Sequence, residues 1–171
     1  MKLIYAMAGV VLSVLMIGCG QGGFAGYQNE WLHPQDMSSV YVEMFDAGGF
    51  RRGHEFKLTE AVCKRIEAQT PYKIVTDRSL ADSILSGTVT TGSGVIAGDR
   101  HTGRPLEQEA LVEVRVTWKN LKTGHILLDN ETVYASASFS EQMGQTFDSS
   151  ADAALNKAAH RVVELMERPW Q

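Results

Sequence analysis

Val112-Glu113-Val114-Arg115-Val116-Thr117-Trp118 alternates apolar and polar side chains over seven positions without a break. Successive side chains of a strand point to opposite faces, so this run buries one face of a sheet and wets the other. It is the clearest strand in the chain, and something apolar has to lie against Val112, Val114, Val116 and Trp118. On its C-terminal side Asn120-Leu121-Lys122-Thr123-Gly124 reads as a turn, with Gly124 able to take a positive φ at little cost. The next run, Ile126 to Phe139, alternates again and keeps Val133, Ala135, Ala137 and Phe139 on one side.

Further toward the N-terminus the periods change. Val40-Tyr41-Val42-Glu43-Met44-Phe45 is a β-prone run that stops at the Asp46-Ala47-Gly48-Gly49 loop. From His54 to Thr70, Leu58, Val62 and Ile66 recur every fourth residue, flanked by Phe56 and Cys63, and Lys57, Glu60, Lys64 and Glu67 cover the other side. That spacing predicts an amphipathic helix, supported by a Glu60–Lys64 pair and ended by Pro71, which has no N–H to donate. Tyr72-Lys73-Ile74-Val75-Thr76 is a second strand, and a strand, helix and strand in succession predict a parallel crossover. After an Asp77-Arg78-Ser79 turn, residues 84–90 form a third strand, followed by a flexible glycine-rich segment over 92–103. The last helix starts at Ser149 or Ser150 and runs to about Glu167 before Pro169, with Ala151, Ala154, Ala158 and Ala159 beside Leu155, Val162, Leu165 and Met166. Two helices and one sheet, each with a single apolar face, are best satisfied by an α+β two-layer sandwich. Its two helices pack on one face of a mixed sheet of about four to five strands.

The N-terminus is of another kind. Lys2 precedes an apolar segment from Leu3 to Ile17, and Leu15-Met16-Ile17-Gly18-Cys19 ends it with a small residue and the first cysteine. A membrane span needs about 20 apolar residues, and glycine and Gln21 cut this one short. The stretch has the form of a bacterial lipobox, which predicts a signal peptide over 1–18 and lipidation of Cys19, a permanent anchor. Residues 19–38 read as a tether and 39–171 as one domain. Gly20 after the cysteine, where inner-membrane retention in enterobacteria uses aspartate, points to the outer membrane, with the domain facing the periplasm.

Loss of the signal leaves 153 residues, enough for one core, and because Lys2 is the only charged residue removed, the formal charge of −4 becomes −5. That sign argues against a nucleic-acid partner. With Cys19 lipidated, Cys63 has no partner for a disulfide and reads as a buried, inert thiol. The histidines at 33, 54, 101, 125 and 160 are scattered and no C-x-x-C or H-E-x-x-H is present, so neither a metal nor a cofactor is expected. Gly92-Ser93-Gly94 does not complete a nucleophile elbow, and Gly98 does not complete a dinucleotide loop, so the chain does not read as an enzyme. Two basic groups remain: Arg51, Arg52 and His54 before the first helix, and Arg100, His101 and Arg104 in the glycine-rich segment.

Taken in order, several segments resemble the LptE family, the outer-membrane lipoprotein partner of the lipopolysaccharide-assembly barrel LptD. They are the lipobox with Gly26-Tyr27 beyond it, Val40 to Phe45, Leu58-Thr59-Glu60-Ala61-Val62, Tyr72-Lys73-Ile74-Val75, Ala81-Asp82-Ser83-Ile84-Leu85-Ser86-Gly87, the Thr123-Gly124 turn and the alanine-rich last helix. Glu43 stands where the family commonly has proline. Within these segments Gly87 suits a close backbone approach and Asp82 a turn held by its side chain. The resemblance implies a non-enzymatic lipoprotein that packs inside and beside an LptD-like β-barrel and assists placement of lipopolysaccharide, with Arg100 and Arg104 able to contact lipid A phosphates. The competing reading is a lipoprotein regulator of a cell-wall synthase like LpoB. Such a regulator needs a long tether, whereas residues 20–38 reach at most about 3.3–3.6 Å each.

Overall fold

The computed structural model describes residues 33–49 and 51–167. Among these residues six strands and two α-helices occur in the order β1 (Ser39–Val42), β2 (Asp46–Ala47), α1 (His54–Gln69), β3 (Lys73–Ile74), β4 (Ser83–Gly98), β5 (Pro105–Asn120), β6 (Ile126–Phe139) and α2 (Phe147–Leu165). The sheet runs β3-β1-β4-β5-β6, with β2 added beside β4. β1 pairs in parallel with both β3 and β4, which bears out the crossover, and β4, β5 and β6 form an antiparallel meander. The fold is the α+β sandwich expected from the sequence, with β2 as one strand more.

The alternation quoted above sets the inner face. Val112, Val114, Val116 and Trp118 are buried, while Leu111, Arg115 and Lys119 on the opposite face are exposed. Across the ladder Leu85 pairs with Trp118 and Val89 with Val114, and Val133 and Ala135 of β6 oppose Val114 and Val112, so all of these share that face. Leu58, Val62 and Ile66 of α1 are fully buried, as are Ala151, Ala154, Ala158 and Ala159 of α2. The alanines let α2 lie close to the sheet and to α1, and each large apolar side chain buried between the layers stabilises the fold by about 1.5–3 kcal/mol. Phe56, placed on the flank of the apolar stripe, is 58% exposed.

The β1 run does not continue to Phe45 as one strand. It leaves the ladder after Val42, Phe45 turns into the core at 1% exposure, and its N–H donates to the Thr59 hydroxyl (3.1 Å) before Asp46–Ala47 pairs with β4. Gly87 makes room for this. A Cβ there would lie 2.1 Å from the Arg115 carbonyl oxygen and 2.9 Å from the Phe45 ring, so the close approach that its position suggested is real. Asp46-Ala47, expected as loop, is therefore a short strand forced by the inserted ring.

Asp82 does more than hold a local turn. Its carboxylate accepts from the Ser38 N–H (2.8 Å), the Ser38 hydroxyl (2.8 Å) and the Ser39 N–H (3.2 Å), and pairs with Lys122 Nζ at 2.7 Å. It thus ties the start of β1, the start of β4 and the β5–β6 turn, where Gly124 has φ 76°. Residues ahead of Ser39 join the body: His33 and Met37 are buried, and the Tyr72 hydroxyl donates to the Pro34 carbonyl (3.0 Å).

α2 begins two residues earlier than the first serine expected to cap it. Thr146 is the N-cap, accepting from the Ser149 N–H, and the Ser149 hydroxyl is the reciprocal partner of a capping box. Serine at the third helical position imitates a cap in sequence because its hydroxyl is used in the same motif. Pro169, expected to end the helix, lies outside the described residues.

Candidate functional site

The largest departure from expectation is the segment expected to be a flexible loop over 92–103. β4 continues through it to Gly98, and β5 starts at Pro105, so only residues 99–104 are turn. Ser93 pairs with Ala110, Gly94 with Glu109 and Val95 with Gln108, with a bulge between Val95 and Ala97. The glycines and serine hid this strand because they carry no apolar signal, yet β4 is held in register by the long partner beside it. Ser93 is a strand residue paired with Ala110, so no strand-to-helix nucleophile elbow is formed there.

The result is an arm. β6 ends at Phe139, opposite Gln108, so beyond that level β4 and β5 continue as a two-stranded ribbon. From Val95, at the level of Phe139, to Gly98 the arm is about 10 Å long at ~3.3 Å per residue, before its turn. Its shank is apolar and uncovered: Val95 is 64% exposed, with Ile96 and Leu106 also among the exposed large apolar side chains. The Ser140 hydroxyl donates to the Leu106 carbonyl (3.0 Å), which brings the short 3₁₀ turn Glu141–Met143, with exposed Met143, against the arm.

The tip is a rigid basic turn. Asp99 N–H donates to the Arg104 carbonyl (2.8 Å) and Gly103 N–H to the Asp99 carbonyl (2.8 Å), and the Asp99 carboxylate accepts from the His101 N–H at 2.8 Å. That hydrogen bond, followed by those from Thr102, holds the Asp99 carboxyl below its usual range. Arg100, His101 and Arg104 are exposed, and among the described residues none of them has a salt bridge. An Asp99 carboxylate committed to backbone donors leaves the arginine forks available to an anion from outside.

Two members of the second basic group, Arg51 and His54, are used within the fold, and Arg52 is exposed. His54 is buried, its Nδ1 lies 3.0 Å from the Thr91 hydroxyl, and its ring stacks on Phe147 at 6.2 Å. The Arg51 guanidinium lies 3.9 Å from the centre of the Phe147 ring, a cation–π contact that pins the entry of α1 to the start of α2. Sequence reasoning found the basic tip of the arm and missed its apolar shank. The signal available was Val95-Ile96, a β-branched pair standing between glycines.

Cys63, expected as a buried inert thiol, is half-buried, and burial is the leading cause that pushes its thiol pKa up, away from the reactive thiolate. Among the described residues no group of three or more His, Cys, Asp or Glu could hold a metal ion, and no helix is long and apolar enough to cross a membrane. Cys19, the expected lipidation site, and residues 1–18 lie outside the described residues.

A mixed sheet backed on one face by two helices, with a hairpin arm leaving that sheet, defines a small α+β domain. The chain belongs to the LptE family: the family model for lipopolysaccharide-assembly LptE matches residues 37–168, nearly the whole described body. That family is one of non-enzymatic lipoproteins. No curated protein matches this chain. Among solved structures, the chain is similar to an uncharacterized lipoprotein B from Nitrosomonas europaea, with 12% identity, 77% of this chain and 82% of that one covered, and a TM-score of 0.57. A minor lipoprotein from Acinetobacter baumannii is similar at 12% identity, with 80% and 100% covered and a TM-score of 0.51. A single-substitution form of the PelC dodecamer from Paraburkholderia phytofirmans is similar at 12% identity, with 80% and 93% covered and a TM-score of 0.50. At these identities the likeness is one of fold.

Proposed function

We propose that this chain is the lipoprotein subunit of a lipopolysaccharide-assembly complex, partnering an LptD-like outer-membrane β-barrel. Residues 1–18 serve as its signal peptide, Cys19 carries the lipid, and the residues from 19 to 32 tether the body, which the stretch 33–38 joins, to the periplasmic side of the outer membrane. The observation that carries the reading is the arm, an uncovered apolar shank ending in Arg100 and Arg104. Lipopolysaccharide combines acyl chains with phosphates, and an apolar strand pair beside free guanidinium groups matches both. Family membership supports the same partner and the same glycolipid.

The test has two arms. Replacing Arg100 and Arg104 with alanine lowers lipopolysaccharide affinity by about tenfold, the loss of roughly one charge-assisted hydrogen bond, with an unchanged circular dichroism spectrum. Unchanged affinity removes the arginines from the proposal. Affinity purification from envelope membranes recovers a large outer-membrane barrel, whereas recovery of a peptidoglycan synthase would replace this reading by that of an LpoB-like regulator.

A further inference from the structure

At the far end of the body from the arm, the two ends of the described chain meet. A groove of about 740 Å³ lies between the last turn of α2 and β6, close to the entry segment at Pro34. Its floor is apolar, formed by Leu127, Leu128 and Leu165, each only partly buried, with Trp118 and Met166 beneath them. Its rim carries Asp36, Glu131, Glu164 and Glu167, all exposed, and none of the residues lining it is Lys, Arg or His.

Two of these carboxylates have partial partners. Asp36 accepts from Asn120 Nδ2 at 2.8 Å, and Glu164 lies 3.3 Å from His160 Nε2, an ion pair only when that histidine is protonated. Glu131 and Glu167 have no ion pair among the described residues. The Trp118 indole N–H, in the groove wall and buried, has no acceptor among the described residues. Four carboxylates around an apolar floor select a cation borne next to a large apolar group.

We propose that the groove is the docking site of the chain's own C-terminal segment, Arg168-Pro169-Trp170-Gln171, with Trp170 on the apolar floor and Arg168 among the rim carboxylates. The segment lies outside the described residues, and its sequence supplies both chemistries in adjacent places. It begins next to Glu167, which already lines the groove, and Trp170 is three residues on, within about 10 Å of extended chain. Pro169 turns the chain off the helix axis, since the residue before proline avoids helical backbone. An indole buries about 150–250 Å² and brings its own polar N–H for an edge of the groove. Residues 20–32, which precede the entry segment in sequence, contain Glu30 and no Lys or Arg, so they would bring a fifth negative charge rather than a cation. Docking would close the groove and fasten α2 to the entry of the domain, next to the tether.

Methyl-resolved NMR of the full chain in detergent micelles tests this. The expected result is cross-peaks between the Trp170 ring and the methyls of Leu127, Leu128 and Leu165. Trp170→Ala abolishes them and shifts those methyls while leaving the methyls of Leu58 and Leu85 in place. Glu131→Lys combined with Glu164→Lys raises the accessibility of Trp170 to acrylamide several-fold, with the circular dichroism spectrum unchanged, and high salt moves the wild type in the same direction. The proposal is overturned if Trp170→Ala leaves the groove methyls unmoved, if the cross-peaks come from Trp31, or if they appear only between differently labelled copies.

Discussion

β4 and β5 are core at one end and arm at the other, although the hydrogen-bonded ladder between them runs almost unbroken from Ser83↔Asn120 to Gly98↔Pro105. Leu85 and Val114 at the helix-backed end are fully buried, and Val95 at the arm end is mostly exposed. The pairing is the same; the covering layer is not. Backbone pairing alone leaves a two-stranded ribbon marginal in water, so the arm is held out because its strands continue into a packed sheet. Its own apolar side chains contribute little to folding and remain available to an external surface.

The sharpest test of that contrast is a pair of matched truncations. Leu85→Ala in the core end costs about 2–5 kcal/mol, the usual range for a fully buried leucine, whereas Leu106→Ala in the arm stays within about 0.5 kcal/mol. Urea unfolding monitored by circular dichroism measures both. A Leu106→Ala loss comparable to that of Leu85→Ala would mean that the arm is packed against the body in solution, and the contrast would fail.

A pair of glycines on β4 probes the backbone instead. Gly87→Ala places a methyl within 2.1 Å of the Arg115 carbonyl oxygen and against Phe45, and relief requires moving strand β5 or the ring. The expected cost is about 3 kcal/mol, at the upper end of overpacking effects. Gly92→Ala, five positions along the same strand, meets nothing within 4 Å and is expected to change stability by less than about 0.5 kcal/mol. Thermal melts of the two variants decide it, and equal melting temperatures would break the distinction.

The same divide separates what the sequence revealed from what it hid. Wherever a side chain has to choose between core and water, the choice leaves a period. Leu58, Val62 and Ile66 located α1 almost to the residue, and the alternation from Ile126 to Phe139 located β6 with both ends correct. The arm and the stretch of β4 leading into it make no such choice, so Gly92, Ser93, Gly94 and Ala97 look like loop although they are strand. β2 was hidden for another reason. Its pairing depends on Phe45 fitting over Gly87, a contact between residues 42 positions apart that no local pattern announces. At the site, Arg100 and Arg104 were visible as charge, while the apolar shank that gives them a context depends on how far β6 and the helices extend.

Two aspartates carry the comparison into pH dependence. Asp82, at the core end, is held well below the ordinary carboxylate range by the hydrogen bond from Lys122 first, then by the Ser38 N–H and hydroxyl. Asp99, at the arm tip, is lowered by donors from its own turn, led by the His101 N–H. A carboxyl with a lowered folded pKa contributes stability that is present above its unfolded value of about 4 and is lost as pH falls through the folded value. Both groups obey that sign, but what each holds together differs. Asp82 joins segments 43 and 44 residues apart, so its protonation loosens the whole body. Asp99 joins residues two and three apart, so its protonation frees one turn. Asp82→Asn is therefore expected to lower global stability at neutral pH by about 1.5 kcal/mol and to flatten the loss of stability between about pH 4 and pH 2. Asp99→Asn leaves the global unfolding curve unchanged at every pH and accelerates amide hydrogen exchange only at His101 and its neighbours. If Asp99→Asn instead shifted the global curve, the arm would belong to the cooperative unit of the core, and the division of β4 and β5 into a packed part and an arm would have to be given up.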